Sequence, residues 1–169
     1  YYTNGTINFY PADDRCADFG RIADVIFHEV GHGIHHYIID EGTFAGDVSE
    51  GSADFVSATI LDDPVLAPEA TGPGTWIREL ETDKVYPDDA TGSSHNDGLI
   101  WASFLWNLRT SWRDTYGVEA GTRMVDELFL ETLSYGPTLT DLTEAVLAAD
   151  DDDADLRNST PHACELIEG

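Results

Sequence analysis

The sequence predicts a single, mainly α-helical domain with a small β-hairpin at its N-terminal end. The chain has 169 residues, which is about the length of one domain. Asn4-Gly5, a dipeptide typical of two-residue hairpin turns, lies between β-forming residues near the start. Apolar residues then recur at three- or four-residue steps, which is the period of an amphipathic helix. We therefore expect residues 1–169 to form one α+β domain with a helical C-terminal half.

The expected elements follow in order along the chain. Residues 1–10 form the hairpin, and the apolar spacing predicts a first helix from Phe19 to about Ile39. A long connection rich in proline and glycine occupies 62–96, with a short ordered segment at 76–80. The later helices are expected at 48–61, from Asp97 as the cap to about Gly117, from about 118 to 135, from after Thr140 into 150–153, and as a last turn beginning at Thr160-Pro161.

The balance of charge limits the partners that the protein can have. Thirty-three acidic residues stand against eight basic ones, so the formal net charge is −25 at pH 7. Such a surface repels nucleic acid and anionic lipid, and we expect no nucleic acid and no membrane among its partners. No run of 18 apolar residues is present, which argues against a transmembrane segment.

The cysteines and the start of the chain indicate where the protein works. Cys16 and Cys164 lie near opposite ends, which favours a disulfide that ties the tail to the front of a secreted protein. The alternative is a pair of buried free thiols. The acidic composition also favours an extracellular location. Because Tyr1 looks like the middle of an element and no initiator Met precedes it, we expect a processed piece whose partners include the rest of its parent chain.

Residues 28–32 read H-E-x-x-H inside the first expected helix. Residues four apart lie on one helical face about 6 Å apart along the axis, so His28 and His32 can both reach one zinc ion. Glu29 is placed to take a proton from a water molecule at the metal. The other interpretation, a surface helix with two histidines, is weaker because the motif lies inside an amphipathic helix, where buried polar groups need partners.

Zinc requires a third protein ligand, and two candidates close to the motif fail. The metzincin pattern places a histidine six residues after His32, where this chain has Ile38. His36 lies about 12 Å along the helix axis from His28 and is rotated by roughly 80°, so one ion cannot bind all three histidines. We therefore expect His35 and His36 to be exposed or to lie behind the ligands.

The remaining candidate lies on the second expected helix. Glu50 follows His32 by 18 residues, and Asp54 comes one turn later on the same face. This E-x-x-x-D spacing predicts that Glu50 binds the metal while Asp54 accepts the outer N–H of a ligand histidine. The alternative is that Glu50 belongs to a capping box in which Asp47 is the cap.

These motifs together resemble the gluzincin metallopeptidases of the thermolysin and fungalysin type. YYTNGTINFY resembles the hairpin before the zinc helix, DVIFHEVGHGIHHY the zinc helix, and GDVSEGSADFVSATI the helix with the third ligand. SSHNDGLIWASFLWNLR resembles the segment that supplies a transition-state histidine, in a form closer to fungalysin. The resemblance implies a zincin-like catalytic domain, with His28, His32 and Glu50 as zinc ligands, Glu29 as general base, Asp54 behind a ligand histidine and His95 as donor to the oxyanion.

His95 is also a candidate on its own chemistry. A long loop delivers it to the start of a helix, where an imidazole N–H can stabilise a developing oxyanion. Asp88 or Asp89 could orient its ring, but neither fits the spacing of the gluzincin family closely. The other interpretation is that His95 is merely a neighbour of the helix cap at Asp97.

The acidic run 150–155 leaves two interpretations open. Carboxylates at alternating positions, Asp151, Asp153 and Asp155, can surround a hard cation such as Ca²⁺ with oxygen ligands. The run lacks the glycine and the terminal glutamate of an EF-hand loop. A solvated run of charge explains it equally well.

The sequence thus predicts a secreted zinc-dependent endopeptidase that acts on peptide or protein substrates, with calcium as an optional second cation. Two alternatives remain. The first is an aminopeptidase on the same scaffold, which requires a carboxylate pocket for the free amine. The second is a non-catalytic binding domain, stabilised by zinc or calcium, that keeps the metal site without turning over a substrate.

Overall fold

The computed structural model describes residues 1–39 and 44–168 as six α-helices and two short β-hairpins. The expectation of a mainly helical chain with a small N-terminal hairpin is confirmed. Single 3₁₀ turns occur at Phe19–Arg21 and Leu156–Asn158. The strands are β1 Tyr2–Thr3, β2 Thr6–Ile7, β3 Val65–Leu66 and β4 Arg78–Glu79, and the helices are α1 Ala23–Ile38, α2 Gly46–Leu61, α3 Ser94–Tyr116, α4 Val118–Ser134, α5 Leu142–Asp150 and α6 Ala163–Glu168.

The first hairpin forms at the expected turn. Asn4 and Gly5 both have positive φ, 47° and 75°, as a two-residue turn between twisted strands requires. Tyr2 pairs with Ile7 in an antiparallel register. Tyr2 also lies against α1, because a Cβ at Gly33 would be 3.3 Å from its ring. The hairpin therefore packs on the helix that carries H-E-x-x-H.

Two helices, α1 and α3, pack closely against opposite sides of α2. A Cβ at Gly31 of α1 would lie only 2.5 Å from the Cα atom of Ala53 of α2. On the other side of α2, a Cβ at Gly51 would collide with the backbone carbonyl of Gly98 of α3. The absence of side chains at these glycines lets the three backbones approach one another. As a result α2, which carries Glu50, is clamped between α1 and α3.

The hydrophobic core lies along α3. Its inner face presents large apolar side chains toward α2 on one side and toward α4 on the other, and α5 packs on α4. A second, smaller cluster lies beneath β3 and β4 and fixes this hairpin on α2 and α3. The main cluster includes Phe55, Trp101, Leu105, Leu108, Trp112, Phe129 and Leu133, and the smaller one Leu66, Leu80, Leu99 and Trp106.

Several expected boundaries shift for physical reasons. Ile22 has an extended backbone, so a 3₁₀ turn precedes α1 instead of a continuous helix from Phe19. The helix expected to begin at Asp97 begins at Ser94, and Asp97 accepts hydrogen bonds from the backbone N–H groups of Thr91 and Gly92. This carboxylate closes the preceding turn, which places His95 inside the first turn of α3. The short segment 76–80 contains β4, which pairs with β3.

The predicted disulfide is wrong. Cys16 and Cys164 are both free thiols, the first partly exposed and the second exposed. Within the described residues, no helix is long and apolar enough to cross a lipid bilayer.

Candidate metal centre

His28 and His32 project from the same face of α1 toward α2. They lie four positions apart in a continuous helix, and their ring centroids are 4.7 Å apart in an edge-on arrangement. Their side chains are only 12% and 15% exposed. The two imidazoles are therefore held in a mostly desolvated position where their ring nitrogens converge.

Glu50 completes this group from the first half of α2. Its carboxylate lies 3.4 Å from Nε2 of His28 and 3.7 Å from Nε2 of His32. One ligand atom from each of the three residues falls within 4.8 Å of the others. Since Gly31 allows α1 to approach α2 closely, the helix packing sets the spacing of these ligands. The structure thus brings together the three residues predicted to bind the metal.

The outer nitrogens of both histidines have fixed partners. Nδ1 of His28 lies 2.7 Å from Oδ1 of Asp54, and Nδ1 of His32 lies 2.9 Å from Oγ of Ser49. Asp54 is fully buried, and its carboxylate accepts a hydrogen bond from Nδ1 of His28, which directs Nε2 at the centre. The placement of Asp54 matches its predicted role, whereas the role of Ser49 has no signal in the sequence.

Arg78 of β4 contacts the centre through Asp54, and no pattern in the sequence predicts this role. Its Nε and a terminal nitrogen bind the two Asp54 oxygens at 2.6 and 2.7 Å, a bidentate pair. Burial would raise the pKa of Asp54, but hydrogen bonds from His28 and Arg78 hold it below its usual range. Arg78 lies in a two-residue strand within a connection rich in proline and glycine, where no periodic pattern marks it.

The ligand residues carry a proton that a metal would displace. Burial would lower the pKa of His28, but the hydrogen bond with Asp54 and the nearby Glu50 carboxylate raise it to about 9. Burial and the neighbouring charge of His28 lower the pKa of His32. Burial would raise the pKa of Glu50, and the three nearby histidines instead lower it. Without metal, His28 is therefore charged at neutral pH, with its Nδ1 facing Asp54 and its Nε2 facing Glu50, whereas His32 loses its proton more easily.

This donor set fits zinc. Two imidazole nitrogens and one carboxylate are the ligands of one class of catalytic zinc site, which keeps a further position open. Glu50 Oε2 is buried and has no hydrogen-bond partner among the described residues, which a bound cation would satisfy. The fixed outer nitrogens of His28 and His32 complete the orientation that such a site requires.

Glu29 and His95 line one pocket, which His28 also lines and which has a volume of about 290 Å³. Glu29 is 8% exposed; its Oε1 lies 3.1 Å from the amino nitrogen of Tyr1, and its Oε2 has no partner among the described residues. His95 is 60% exposed, and its Nε2 lies 3.3 Å from Oε2 of Glu50. The expectation that Asp88 or Asp89 orients His95 is wrong, since its ring meets Glu50 and the Asp89 carboxylate accepts the Val85 N–H.

The two remaining histidines of α1 differ from each other. His36 is exposed, as expected, whereas His35 is fully buried and stacks on Phe44 with 5.0 Å between ring centroids. Neither ring nitrogen of His35 has a hydrogen-bond partner among the described residues. The expectation that His35 is exposed or lies behind the ligands is therefore wrong, because the helical period directs its side chain into the core. Burial lowers its pKa to about 4.

The acidic run does not assemble as expected. Oxygens of Asp151, Asp152 and Asp153 lie within 4.8 Å of one another, so Asp152 takes the place expected for Asp155. The Asp155 carboxylate instead binds the Arg157 guanidinium at 2.6 and 2.7 Å. The cluster therefore shares Asp151 and Asp153 with the predicted calcium set but not Asp155, which binds Arg157 instead, and calcium binding here stays a prediction.

Searches against family models and against curated proteins find no match for this chain. The resemblance to the gluzincins therefore rests on the motifs and on the geometry that they adopt.

Proposed function

We propose that this protein is a zinc-dependent endopeptidase. The observation that carries the proposal is the convergence of Nε2 of His28, Nε2 of His32 and the Glu50 carboxylate, with both outer histidine nitrogens already bound. Zinc bound there supplies a Lewis acid that polarises a carbonyl group and lowers the pKa of a water molecule.

Glu29 acts as the general base of the proposed reaction. Its carboxylate is mostly buried at the edge of the pocket, and one of its oxygens is free of hydrogen bonds to described residues. It accepts a proton from the attacking water at a carboxylate oxygen and then delivers that proton to the nitrogen of the departing amine. The peptide bond breaks with no net change in the protonation of Glu29.

His95 stabilises the charge that develops on the substrate. Its ring stands in the first turn of α3 beside Glu50 and remains accessible from the pocket. An N–H donated from Nε2 to the carbonyl oxygen strengthens as that oxygen gains negative charge. The effect falls mainly on the transition state.

The pocket beside Glu29 provides room for a substrate side chain. Apolar groups from the segment before α1, from α1 and from the β3–β4 hairpin form its walls. A side chain held there would fix the peptide relative to Glu29 and His95, which converts binding energy into orientation.

The test compares the unmodified protein with Glu29→Gln. Zinc-loaded protein is expected to cleave an unstructured protein such as casein, and chelation is expected to abolish cleavage. Glu29→Gln is expected to keep its zinc and its fold but to lose about two to four orders of magnitude in rate, because an amide cannot accept the proton. Absence of cleavage by the zinc-loaded unmodified protein would reject the function, and unchanged cleavage by the variant would reject the role of Glu29.

A further inference from the structure

One carboxylate on the wall of the 290 Å³ pocket has no part in the proposed reaction. We propose that Asp24 makes this pocket selective for a basic side chain, lysine or arginine, of a peptide substrate. The inference rests on the proposed peptidase function and names the class of substrate that this function would use.

The pocket suits a long side chain with an aliphatic stem. Its apolar walls come from three separate parts of the chain that meet beside Glu29. Lysine and arginine bury their methylene groups against such walls while their charged ends reach a polar group. The apolar lining residues are Phe19, Val25, Leu66, Ala67 and Ile77.

Asp24 is positioned at the edge of these walls. It lies in the first turn of α1, one turn before His28 and on the same face. Its backbone carbonyl accepts the Ser57 hydroxyl at 2.9 Å, which fixes this end of α1 on α2. Among the residues that the structure describes, its carboxylate makes neither a hydrogen bond nor an ion pair, and it is partly buried. A partly buried carboxylate without a protein partner remains free to bind the cationic end of a substrate side chain.

The other charged groups on the pocket lining are already engaged. Arg78 is the only lysine or arginine among the lining residues, and both of its contacts go to Asp54. Asp54 also accepts the hydrogen bond from His28. Glu29 is the general base in the proposed reaction. Asp24 is therefore the carboxylate that remains to meet a charged group of the substrate.

The charge of the whole molecule acts in the same direction. The formal net charge is −25, and six of the eight basic residues lie within 4 Å of a carboxylate of the chain. The outward field is consequently anionic and attracts cationic peptides, more strongly at low ionic strength. The six paired residues are Arg15, Arg78, Arg109, Arg113, Arg123 and Arg157.

The first experiment measures binding without turnover. Two peptides that differ only in one residue, lysine or norleucine, are titrated calorimetrically into zinc-loaded Glu29→Gln protein; norleucine keeps the stem and lacks the ammonium group. We expect the lysine peptide to bind about tenfold more tightly, as for a charge-assisted contact in a partly buried site. Adding Asp24→Asn should remove the preference. Adding Asp114→Asn should keep it, since this exposed residue lies about 28 Å along α3 from His95.

The outcomes separate the pocket from the reaction. If the Glu29→Gln protein with Asp24 intact binds the two peptides equally, the inference is overturned. A preference for the lysine peptide that survives Asp24→Asn also overturns it. If the lysine peptide binds selectively but the unmodified protein cleaves no peptide, the peptidase function fails and the pocket assignment stands. If the unmodified protein cleaves peptides without regard to basic residues, as read by mass spectrometry of the products, the function stands and the inference fails.

Discussion

Replacement of Gly31 by alanine tests how far the ligand positions depend on the close packing of α1 and α2. The added Cβ would lie 2.5 Å from the Cα atom of Ala53 and 3.1 Å from its carbonyl oxygen. Because both atoms belong to the backbone, the helices must separate by about 1 Å to restore ordinary contact. His28 and His32 lie on α1 and Glu50 on α2, so the same shift would pull the ligands apart.

Gly33→Ala is the matched control on the same helix. Its Cβ would meet only the ring of Tyr2, at 3.3 Å, and a side chain can move aside. Both substitutions gain about 1 kcal/mol of helix propensity, whereas overpacking against backbone costs about 1–3 kcal/mol. We expect Gly31→Ala to have a free energy of unfolding about 1–3 kcal/mol below that of Gly33→Ala, and a zinc affinity at least tenfold lower.

Two measurements check this prediction. Urea unfolding of the metal-free variants gives the difference in stability, and competition with a chromophoric chelator gives the zinc affinity. If Gly31→Ala matches Gly33→Ala in both, the helix spacing does not determine the ligand geometry, and the reasoning is refuted.

Substitutions at four further positions probe the centre and its surroundings. Glu50→Gln should weaken zinc binding severely while the metal-free fold persists, and full zinc occupancy by elemental analysis would contradict the ligand assignment. Arg78→Met should lower zinc affinity by about ten- to a hundredfold. Arg78→Lys should have an affinity between those of Arg78→Met and the unmodified protein, because lysine cannot bind Asp54 through two nitrogens. Equal zinc affinities of the three proteins would contradict this. His95→Ala should lower kcat by roughly a hundredfold with unchanged zinc content, and an effect confined to KM would count against an oxyanion donor. The pKa of His35 is 6.5 in the unfolded chain and about 4 in the folded protein, so only the unfolded chain takes up the proton as pH drops from 6.5 to 4. The free energy of unfolding should therefore fall by about 2–3 kcal/mol over this range. His35→Leu should remove this part of the slope in denaturation curves measured at each pH.

The parts of the site that could be predicted are those in which spacing along one helix sets the geometry. His28 and His32 share a face because they are four residues apart, and Glu50 and Asp54 do so for the same reason. The hairpin was likewise predictable, because Asn4-Gly5 tolerates positive φ at both positions.

The parts that could not be predicted depend on tertiary contacts or on local competition. Arg78 reaches Asp54 only because a pair of two-residue strands folds back onto α2. Asp155 leaves the acidic cluster because Arg157 is close enough to bind it. Asp97 has the residue type of a helix cap, but backbone N–H groups of the preceding turn bind it first. In the last two cases two partners compete for one carboxylate, and the sequence does not rank them.

The burial of α2 has a consequence for the order in which the site opens. Ten of the sixteen residues of α2 are buried, whereas β3 and β4 have two residues each, of which only Leu66 is buried. Amide hydrogen exchange is slow where opening requires global unfolding and fast where a small unit can detach. The β3–β4 hairpin can therefore open while α2 stays closed, which separates Arg78 from Asp54 before any ligand moves. A fluctuation of this kind would change the basicity of His28 while the ligand positions stay the same.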